Sequence, residues 1–188
     1  MNIPNTITLF RLFCVPLTVW LLTAGFFETA FWIFIGAGVS DGLDGYIAKR
    51  FDQVTELGAY LDPIADKLLL VSLFVTLGSQ DFIPSWLVIL VVSRDVMIVG
   101  AVVLGWAISN EVEVRPLLVS KANTLAQLLL VAIVLAEQGF HRESGMVNDI
   151  FFAIVGVTTL WSGLSYMLNW MGEQSSPPEI PGPPDSGA

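Results

Sequence analysis

Four aspartates lie close together in an otherwise apolar part of the chain. Asp41 and Asp44 are three residues apart, and Asp62 and Asp66 are four residues apart. Both intervals bring side chains to one face of a helix, so two neighbouring helices would aim four carboxylates at one small volume. Like charges at such short range cannot all stay ionised unless a divalent cation joins them. The pattern therefore predicts a metal site, and carboxylate oxygens favour Mg²⁺, Mn²⁺ or Ca²⁺ over zinc.

The composition decides between this metal site and its alternative, two helix ends whose acids are merely solvated. Of the 188 residues, 54% are hydrophobic and 13% are charged, against the roughly 25% charged residues that are typical of soluble domains. The apolar runs reach the roughly 20 residues that a helix needs to cross a bilayer. An acid inside such a run is costly and by default functional, so the metal site is favoured over solvated helix ends.

Six apolar runs predict an all-α integral membrane protein, with six transmembrane helices in one bundle and a polar metal site near the cytoplasmic side. The predicted spans are residues 5–25, 27–51, 57–77, 84–106, 117–136 and 150–171. Polar connectors are predicted at residues 51–56, 110–116 and 137–148. The membrane domain is taken as residues 1–172, followed by a disordered, proline-rich tail at residues 173–188. An even number of spans places both termini on one side of the membrane.

The basic residues of the connectors indicate which side that is. Lys49, Arg50, Arg115 and Lys121 fall on the side of the termini, whereas the other side has only Arg142. Basic residues are in excess on the cytoplasmic side of membrane proteins, so both termini and the four aspartates are predicted to be cytoplasmic. The first five residues lack the basic region of a cleavable signal, which favours a bacterial plasma membrane.

Carboxylates at a membrane surface, with basic residues beside them, favour phosphoryl chemistry on a lipid headgroup. Bound cations would hold phosphate oxygens, one carboxylate would act as general base toward an acceptor hydroxyl, and Lys49, Arg94 and Lys121 would contact phosphates. Two other classes stay open at this point. A cation transporter would stagger its carboxylates across the bilayer, and a structural membrane protein leaves the aspartates unexplained. No part of the sequence is basic enough to indicate a nucleic-acid partner.

The spacing around the four aspartates resembles the signature of the CDP-alcohol phosphatidyltransferases. The chain reads Asp41-x-x-Asp44-Gly45-x-x-Ala48-Lys49, then eight residues, then Gly58-x-x-x-Asp62-x-x-x-Asp66. The family pattern has arginine where this chain has Lys49, and here Arg50 follows it. Lysine offers a point charge and not a planar fork, so this departure affects how a phosphate would be held.

The resemblance implies six transmembrane helices, usually in a homodimer, and attack by an alcohol on the β-phosphate of CDP-diacylglycerol with release of CMP. It implies one or two bound Mg²⁺ or Mn²⁺ ions. The implied metal ligands are Asp41, Asp44, Asp62 and Asp66, and Asp66 is also the proposed base. Asn5-x-x-Thr8-x-x-Arg11 is similar to the first-helix pattern of the family. The implied CDP-binding residues are Asn5, Thr8, Gly45, Ala48, Lys49 and Gly58.

Two further segments resemble the CMP-forming cardiolipin synthases within this family. They read Ser93-Arg94-Asp95-Val96-Met97 and Ser120-Lys121-Ala122-Asn123-Thr124-Leu125-Ala126-Gln127. They imply phosphatidylglycerol as the acceptor, with Arg94 and Lys121 forming the pocket for its phosphate. The alternative is a phosphatidylglycerophosphate synthase that uses glycerol 3-phosphate, for which glutamate is expected at position 95. Simpler roles stay open for both basic residues: Arg94 would pair with Asp95, and Lys121 would anchor its helix at the membrane surface.

Overall fold

The computed structural model of the chain is all-helical over the residues that it describes. Its backbone is described for residues 3–51, 56–109, 118–142 and 145–174, and its side chains for residues 11–40, 65, 67–100, 120–142 and 145–165. The helices are α1 (Ile3–Thr23), α2 (Phe27–Phe51), α3 (Glu56–Ser79), α4 (Ser85–Ser109), α5 (Leu118–Phe140) and α6 (Gly145–Gln174). Each apolar run of the sequence therefore forms a helix, as predicted.

The bounds of the connector predicted at residues 137–148 are wrong, because the connection between the helices is shorter. α5 continues to Phe140 and α6 begins at Gly145, so Glu137 and Asn148 both belong to helices. The Asn148 Nδ2 atom donates to the Glu137 Oε2 atom, and Glu137 is buried. This hydrogen bond across the hairpin gives each of the two polar side chains one partner, although Glu137 Oε1 and Asn148 Oδ1 have none among the described residues. Both residues lie inside helices where the sequence pattern indicates a loop.

The other predicted connectors and the tail fall largely outside the described residues. The link between α2 and α3 covers residues 52–55, and the connector at 110–116 falls within the gap between α4 and α5. α6 extends to Gln174, two residues beyond the predicted end of the membrane domain. The rest of the predicted tail, residues 175–188, lies outside the described residues.

Three of the helix-to-helix turns gather at one end of the bundle. The rings of Phe27 and Phe82 meet edge to face with their centroids 5.3 Å apart, which joins the start of α2 to the turn between α3 and α4. The rings of Phe31 and Phe140 meet in the same way at 5.6 Å, which brings the end of α5 to the same place. We call this the turn end. The opposite end, where α1, α3 and α5 begin, is the terminal end.

α3 supplies the centre of the core. Its buried apolar side chains recur at helical spacing and form one continuous face; they are Ala65, Leu69, Leu70, Leu73, Phe74 and Leu77. α3 packs against α1, α4 and α5, and both α1 and α5 pack against α2. α1 and α5 therefore each pack against both α2 and α3.

Each of the six helices also turns apolar side chains outward. One exposed example from each helix is given by Phe13, Trp32, Val75, Ile89, Leu125 and Trp161. An apolar exterior of this extent marks contact with lipid or with partners. By length and composition, two segments of the described chain qualify as membrane spans, Ser120–Gly139 and Gly145–Ser165. Three more apolar helical segments are shorter, Arg11–Thr23, Phe27–Ser40 and Lys67–Ser79.

Gly139 allows a close backbone contact between α5 and α2. A Cβ atom added to Gly139 would lie 2.8 Å from the Glu28 Cα atom and 2.9 Å from the Glu28 nitrogen, so a side chain there would displace backbone. We expect Gly139→Ala to lower the free energy of unfolding by about 1–3 kcal/mol, the usual result of overpacking. The measurement is the thermal midpoint of the purified protein in detergent.

Gly36→Ala on α2 is the matched control for this substitution. Nothing lies within 4 Å of a Cβ atom added to Gly36, and alanine is the better helix former. We expect its thermal midpoint to be unchanged or slightly raised. A Gly139→Ala midpoint equal to that of the unaltered protein would contradict the close contact between α5 and α2.

Candidate active site

The aspartates of α2 and α3 lie at matching distances from the turn end, measured along their helices. We call this distance the height of a residue. α2 begins and α3 ends at the turn end. Counted from there, Asp41 and Asp66 lie fourteen and thirteen residues along their helices, which is about 20 Å at the rise of an α-helix. Asp44 and Asp62 each lie seventeen residues along, or about 26 Å. Each aspartate of α2 therefore has a counterpart at its own height on α3.

This donor set fits the predicted metal ions by its chemistry. Four carboxylates supply only oxygen atoms, which are the ligands of hard divalent cations, and both helices pack against α1 and α5. The side chains of the four aspartates lie outside the described ones, so their role as metal ligands stays a prediction. Among the side chains that the structure does describe, no group of three or more His, Cys, Asp or Glu could hold a metal ion.

The predicted CDP-binding residues all lie toward the terminal end of their helices. They are Asn5 and Thr8 in the first turns of α1, Gly45, Ala48 and Lys49 in the last two turns of α2, and Gly58 in the first turn of α3. Their helix positions therefore agree with a shared nucleotide site beyond the aspartates. Their side chains fall outside the described set, so their contacts stay a prediction.

Arg94 is the centre of a buried polar network that joins three helices. Its Nη1 atom donates to the Asp95 Oδ1 atom at 2.6 Å. Its Nη2 atom donates to the Ser120 Oγ atom at 2.6 Å and to the Ser162 Oγ atom at 2.7 Å. Only 2% of Arg94 is exposed. The guanidinium thus has partners on α4, α5 and α6, and it makes the pairing with Asp95 that was its simpler expected role.

Lys67 joins this network from α3, and the sequence patterns above do not single it out. Its Nζ atom donates to the same Asp95 Oδ1 atom at 2.7 Å. The second carboxylate oxygen, Asp95 Oδ2, is buried and has no hydrogen-bond partner in the described part of the chain. Two cations therefore share one carboxylate oxygen. The sequence signal for Lys67 is a lysine inside an apolar run, which needs a partner there.

Lys121 lies beside the network but faces outward. It directly follows Ser120, whose hydroxyl accepts from Arg94, and the Lys121 side chain is exposed. The two residues predicted to hold the acceptor phosphate therefore differ: Arg94 is buried among partners, whereas Lys121 is accessible. Their joint role as a phosphate pocket stays a prediction.

A polar stripe on α5 continues from the network toward the turn end. The Asn123 Oδ1 atom accepts from the Thr158 and Thr159 hydroxyls at 2.8 Å and 2.9 Å. Gln127, one turn further along, is fully buried, and neither of its side-chain polar atoms has a partner among the described residues. Buried amides without partners reduce stability. Since Ser120, Asn123 and Gln127 follow at helical spacing, α5 presents one polar face to the interior.

Comparison with known proteins identifies the protein family of this chain. The family model described as CDP-alcohol phosphatidyltransferase matches residues 1–161, which include all four aspartates. The CMP-forming cardiolipin synthase of Homo sapiens is 34% identical over 181 residues, covering 88% of this chain and 60% of that protein. The CDP-diacylglycerol–glycerol-3-phosphate 3-phosphatidyltransferase of Bacillus subtilis is 31% identical over 192 residues, covering 93% of this chain and 98% of that protein.

A third relative is a fusion protein of Schizosaccharomyces pombe, named as a CMP-forming cardiolipin synthase and mitochondrial hydrolase. It is 34% identical over 184 residues, which cover 89% of this chain and 31% of the fusion protein. The chain thus spans less than two thirds of the length of the fission-yeast and human relatives, and nearly all of the bacterial one. The relatives carry the names of two different activities, while the family match covers most of the chain. The chain belongs to the CDP-alcohol phosphatidyltransferase family.

Proposed function

We propose that the chain transfers the phosphatidyl group of CDP-diacylglycerol to the free hydroxyl of phosphatidylglycerol, giving cardiolipin and CMP. Its family is membrane-embedded, takes part in phospholipid biosynthesis and uses divalent metal ions. The observation that carries the proposal is the matching height of the aspartates of α2 and α3, because carboxylates paired at two adjoining heights suit a metal-dependent phosphoryl transfer. The cardiolipin synthases among the relatives support the choice of acceptor.

The proposed reaction exchanges the phosphoanhydride bond of CDP-diacylglycerol for a phosphate ester of the acceptor. The acceptor hydroxyl oxygen attacks the β-phosphorus, the bond from that phosphorus to the bridging oxygen breaks, and CMP leaves with that oxygen. The Asp66 carboxylate takes the hydroxyl proton as general base. Asp41, Asp44, Asp62 and Asp66 would hold Mg²⁺ or Mn²⁺, which when bound offsets the negative charge of the diphosphate.

The two substrates are assigned to different sides of the aspartates. The six CDP-binding candidates lie toward the terminal end of α1, α2 and α3, and we assign the nucleotide to them. Arg94 and Lys121 lie on α4 and α5, and we assign the acceptor phosphate to their neighbourhood. A buried arginine held beside an exposed lysine supports this assignment, because guanidinium and ammonium groups are the usual partners of phosphate.

We further propose that all six helices cross a bacterial plasma membrane, in a homodimer, with both termini and the active site cytoplasmic. The apolar side chains that each helix exposes support contact with lipid. Lys49, Arg50 and Lys121 lie at the terminal end, and the excess of basic residues on the cytoplasmic side supports the orientation. The homodimer is proposed from the family resemblance.

A phosphatidylglycerophosphate synthase is the second candidate. The observation that favours it is the relative from Bacillus subtilis, because this chain covers 98% of that protein and the protein is named for glycerol 3-phosphate. The two candidates share the donor and the release of CMP, and they differ in the acceptor.

The deciding experiment supplies the purified full-length chain with labelled CDP-diacylglycerol and, in separate reactions, phosphatidylglycerol or glycerol 3-phosphate. We expect labelled cardiolipin and CMP with phosphatidylglycerol only. Phosphatidylglycerophosphate as the product would overturn the acceptor and keep the family reaction. Absence of CMP with both acceptors would overturn the proposed function, provided that an added active relative turns over the same substrates.

A further inference from the structure

We propose that Lys67 binds the phosphate of the acceptor alcohol directly, and that Arg94 is a positioning residue that keeps Asp95 neutralised while Lys67 does so. The proposal rests on the function proposed above, in which the acceptor carries a phosphate. It adds to the active site a residue that the family signature does not contain, and it narrows the assignment made above: Arg94 acts on the phosphate through Asp95 and Lys67 and does not contact it.

The first support is the balance of charge inside the bundle. Lys67 and Arg94 both donate to the Oδ1 atom of Asp95, at 2.7 Å and 2.6 Å. One carboxylate thus faces two cations, and the three groups together carry one positive charge. Within these three groups, the charge that is left over is available to an anion at the partly exposed Lys67 ammonium. A substrate phosphate is an anion of the required sign.

The second support is the unequal freedom of the two cations. Arg94 is 2% exposed and donates to Asp95, Ser120 and Ser162, so turning it away would break three hydrogen bonds. The Lys67 side chain is 27% exposed and has one hydrogen-bond partner among the described residues, Asp95. Lysine also carries three donors on a flexible stem. Turning Lys67 away would therefore break fewer hydrogen bonds than turning Arg94 away.

The third support is that Asp95 keeps a counter-charge when Lys67 turns to a ligand. Asp95 keeps the Arg94 guanidinium at 2.6 Å, so the buried carboxylate is not left without a counter-charge. Removing the only partner of a buried charge is strongly destabilising, and a shared carboxylate avoids that situation. The network accordingly permits Lys67 to exchange its carboxylate partner for a phosphate.

The position of Lys67 relates it to the acceptor and not to the nucleotide. It follows Asp66 in the chain and lies twelve residues from the end of α3, or about 18 Å along the helix, nearly level with Asp66. Its contact is with Asp95 of α4, whereas the CDP-binding candidates lie on α1, α2 and the start of α3. A phosphate held by Lys67 would therefore keep the acceptor on the α4 side of the proposed base.

The test compares Lys67→Met with Lys67→Arg in the full-length protein at saturating CDP-diacylglycerol. Phosphatidylglycerol and glycerol 3-phosphate are used in separate arms, because either one supplies a phosphate beside a free hydroxyl. For the acceptor that the protein uses, we expect Lys67→Met to raise KM about 10- to 100-fold, the effect of losing one charge-assisted hydrogen bond. The KM for the donor, measured separately at saturating acceptor, should stay within about twofold, and Lys67→Arg should recover most of the loss.

Arg142→Met is the matched control, since it removes an exposed basic residue next to the turn end and should leave both KM values unchanged. Ser162→Ala should lower the thermal midpoint by loosening Arg94, with a smaller rise in the acceptor KM. An unchanged acceptor KM in Lys67→Met, or a rise in the donor KM instead, would overturn the proposal. So would a lowered midpoint with equal loss against both substrates, because that is the result of a purely structural lysine.

A binding measurement separates failure of this inference from failure of the proposed function. The acceptor alone should raise the thermal midpoint of the unaltered protein and of Lys67→Arg, but not that of Lys67→Met. If the unaltered protein releases no CMP, the proposed function fails whatever the midpoints show. If it releases CMP while all three midpoints respond alike to the acceptor, the role of Lys67 fails alone.

Discussion

Replacing Asp66 by asparagine is expected to lower kcat about a thousandfold, the usual contribution of a general base. Asparagine keeps the size of the side chain but cannot take up the proton of the acceptor hydroxyl. Asp66 lies inside α3 at the height of Asp41 on α2, so the substitution changes one of the four carboxylates that the proposal places together. The measurement is the initial rate of CMP release at saturating donor and acceptor.

Asp149→Asn is the matched control for this substitution. Asp149 is an exposed residue in the first turns of α6, next to the turn end, so the same chemical change there should leave kcat unchanged. Membrane insertion and binding of CDP-diacylglycerol should survive in Asp66→Asn. Turnover close to that of the unaltered protein would remove Asp66 as the base and move that role to another of the aspartates.

The helices could be predicted from the sequence because each is an apolar run between polar or turn-forming residues. That rule fails where polar side chains find a partner inside the fold, as between α5 and α6. Glu137 and Asn148 lie eleven residues apart in the chain and bond across the hairpin, so both helices extend past the residues that mark a loop. The polar residues of this segment indicate a connector, because the bond between Glu137 and Asn148 forms only when the helices pack and cannot be read from the sequence.

The Arg94 network shows the same limit for the candidate site. The two segments around Arg94 and Lys121 lie on two of the helices that form this network, but the partners of Arg94 lie up to 68 residues away, at Ser162. Lys67 contacts Asp95 across 28 residues. Spacing rules reach only a few turns along one helix, and contacts between helices depend on how α3, α4, α5 and α6 pack.

For the aspartates, spacing gives a prediction within each helix, and the helix ends relate the two helices to each other. Intervals of three and four residues predict a shared face on each helix. The matching heights follow only when the first residue of α2 and the last residue of α3 are known and lie at the same end of the bundle. The shared faces stay a prediction from the sequence, and the fold relates the heights of one pair to those of the other.

Removal of divalent metal is expected to abolish the activity, to below about 1% of the initial rate, because transition-state charge on the phosphates would lose its counter-ions. Treatment with a chelator followed by gel filtration gives the metal-free protein. Addition of Mg²⁺ or Mn²⁺ should restore the rate, whereas K⁺ at equal ionic strength should not. Since an oxygen-only donor set favours hard ions, Mg²⁺ and Mn²⁺ should be more effective than Zn²⁺.

A readout that does not depend on turnover links this requirement to the four aspartates. Without a cation, four carboxylates at two adjoining heights repel one another, and a ligand that binds only the folded state stabilises it. The chelator should therefore lower the thermal midpoint of the unaltered protein, and Mg²⁺ should raise it again in a concentration-dependent manner. In Asp44→Asn, which removes one charge from the set, the midpoint should respond to Mg²⁺ only at higher concentration. A chelator-insensitive rate, or equal Mg²⁺ responses in the two proteins, would contradict a metal site at these aspartates and with it the proposed chemistry.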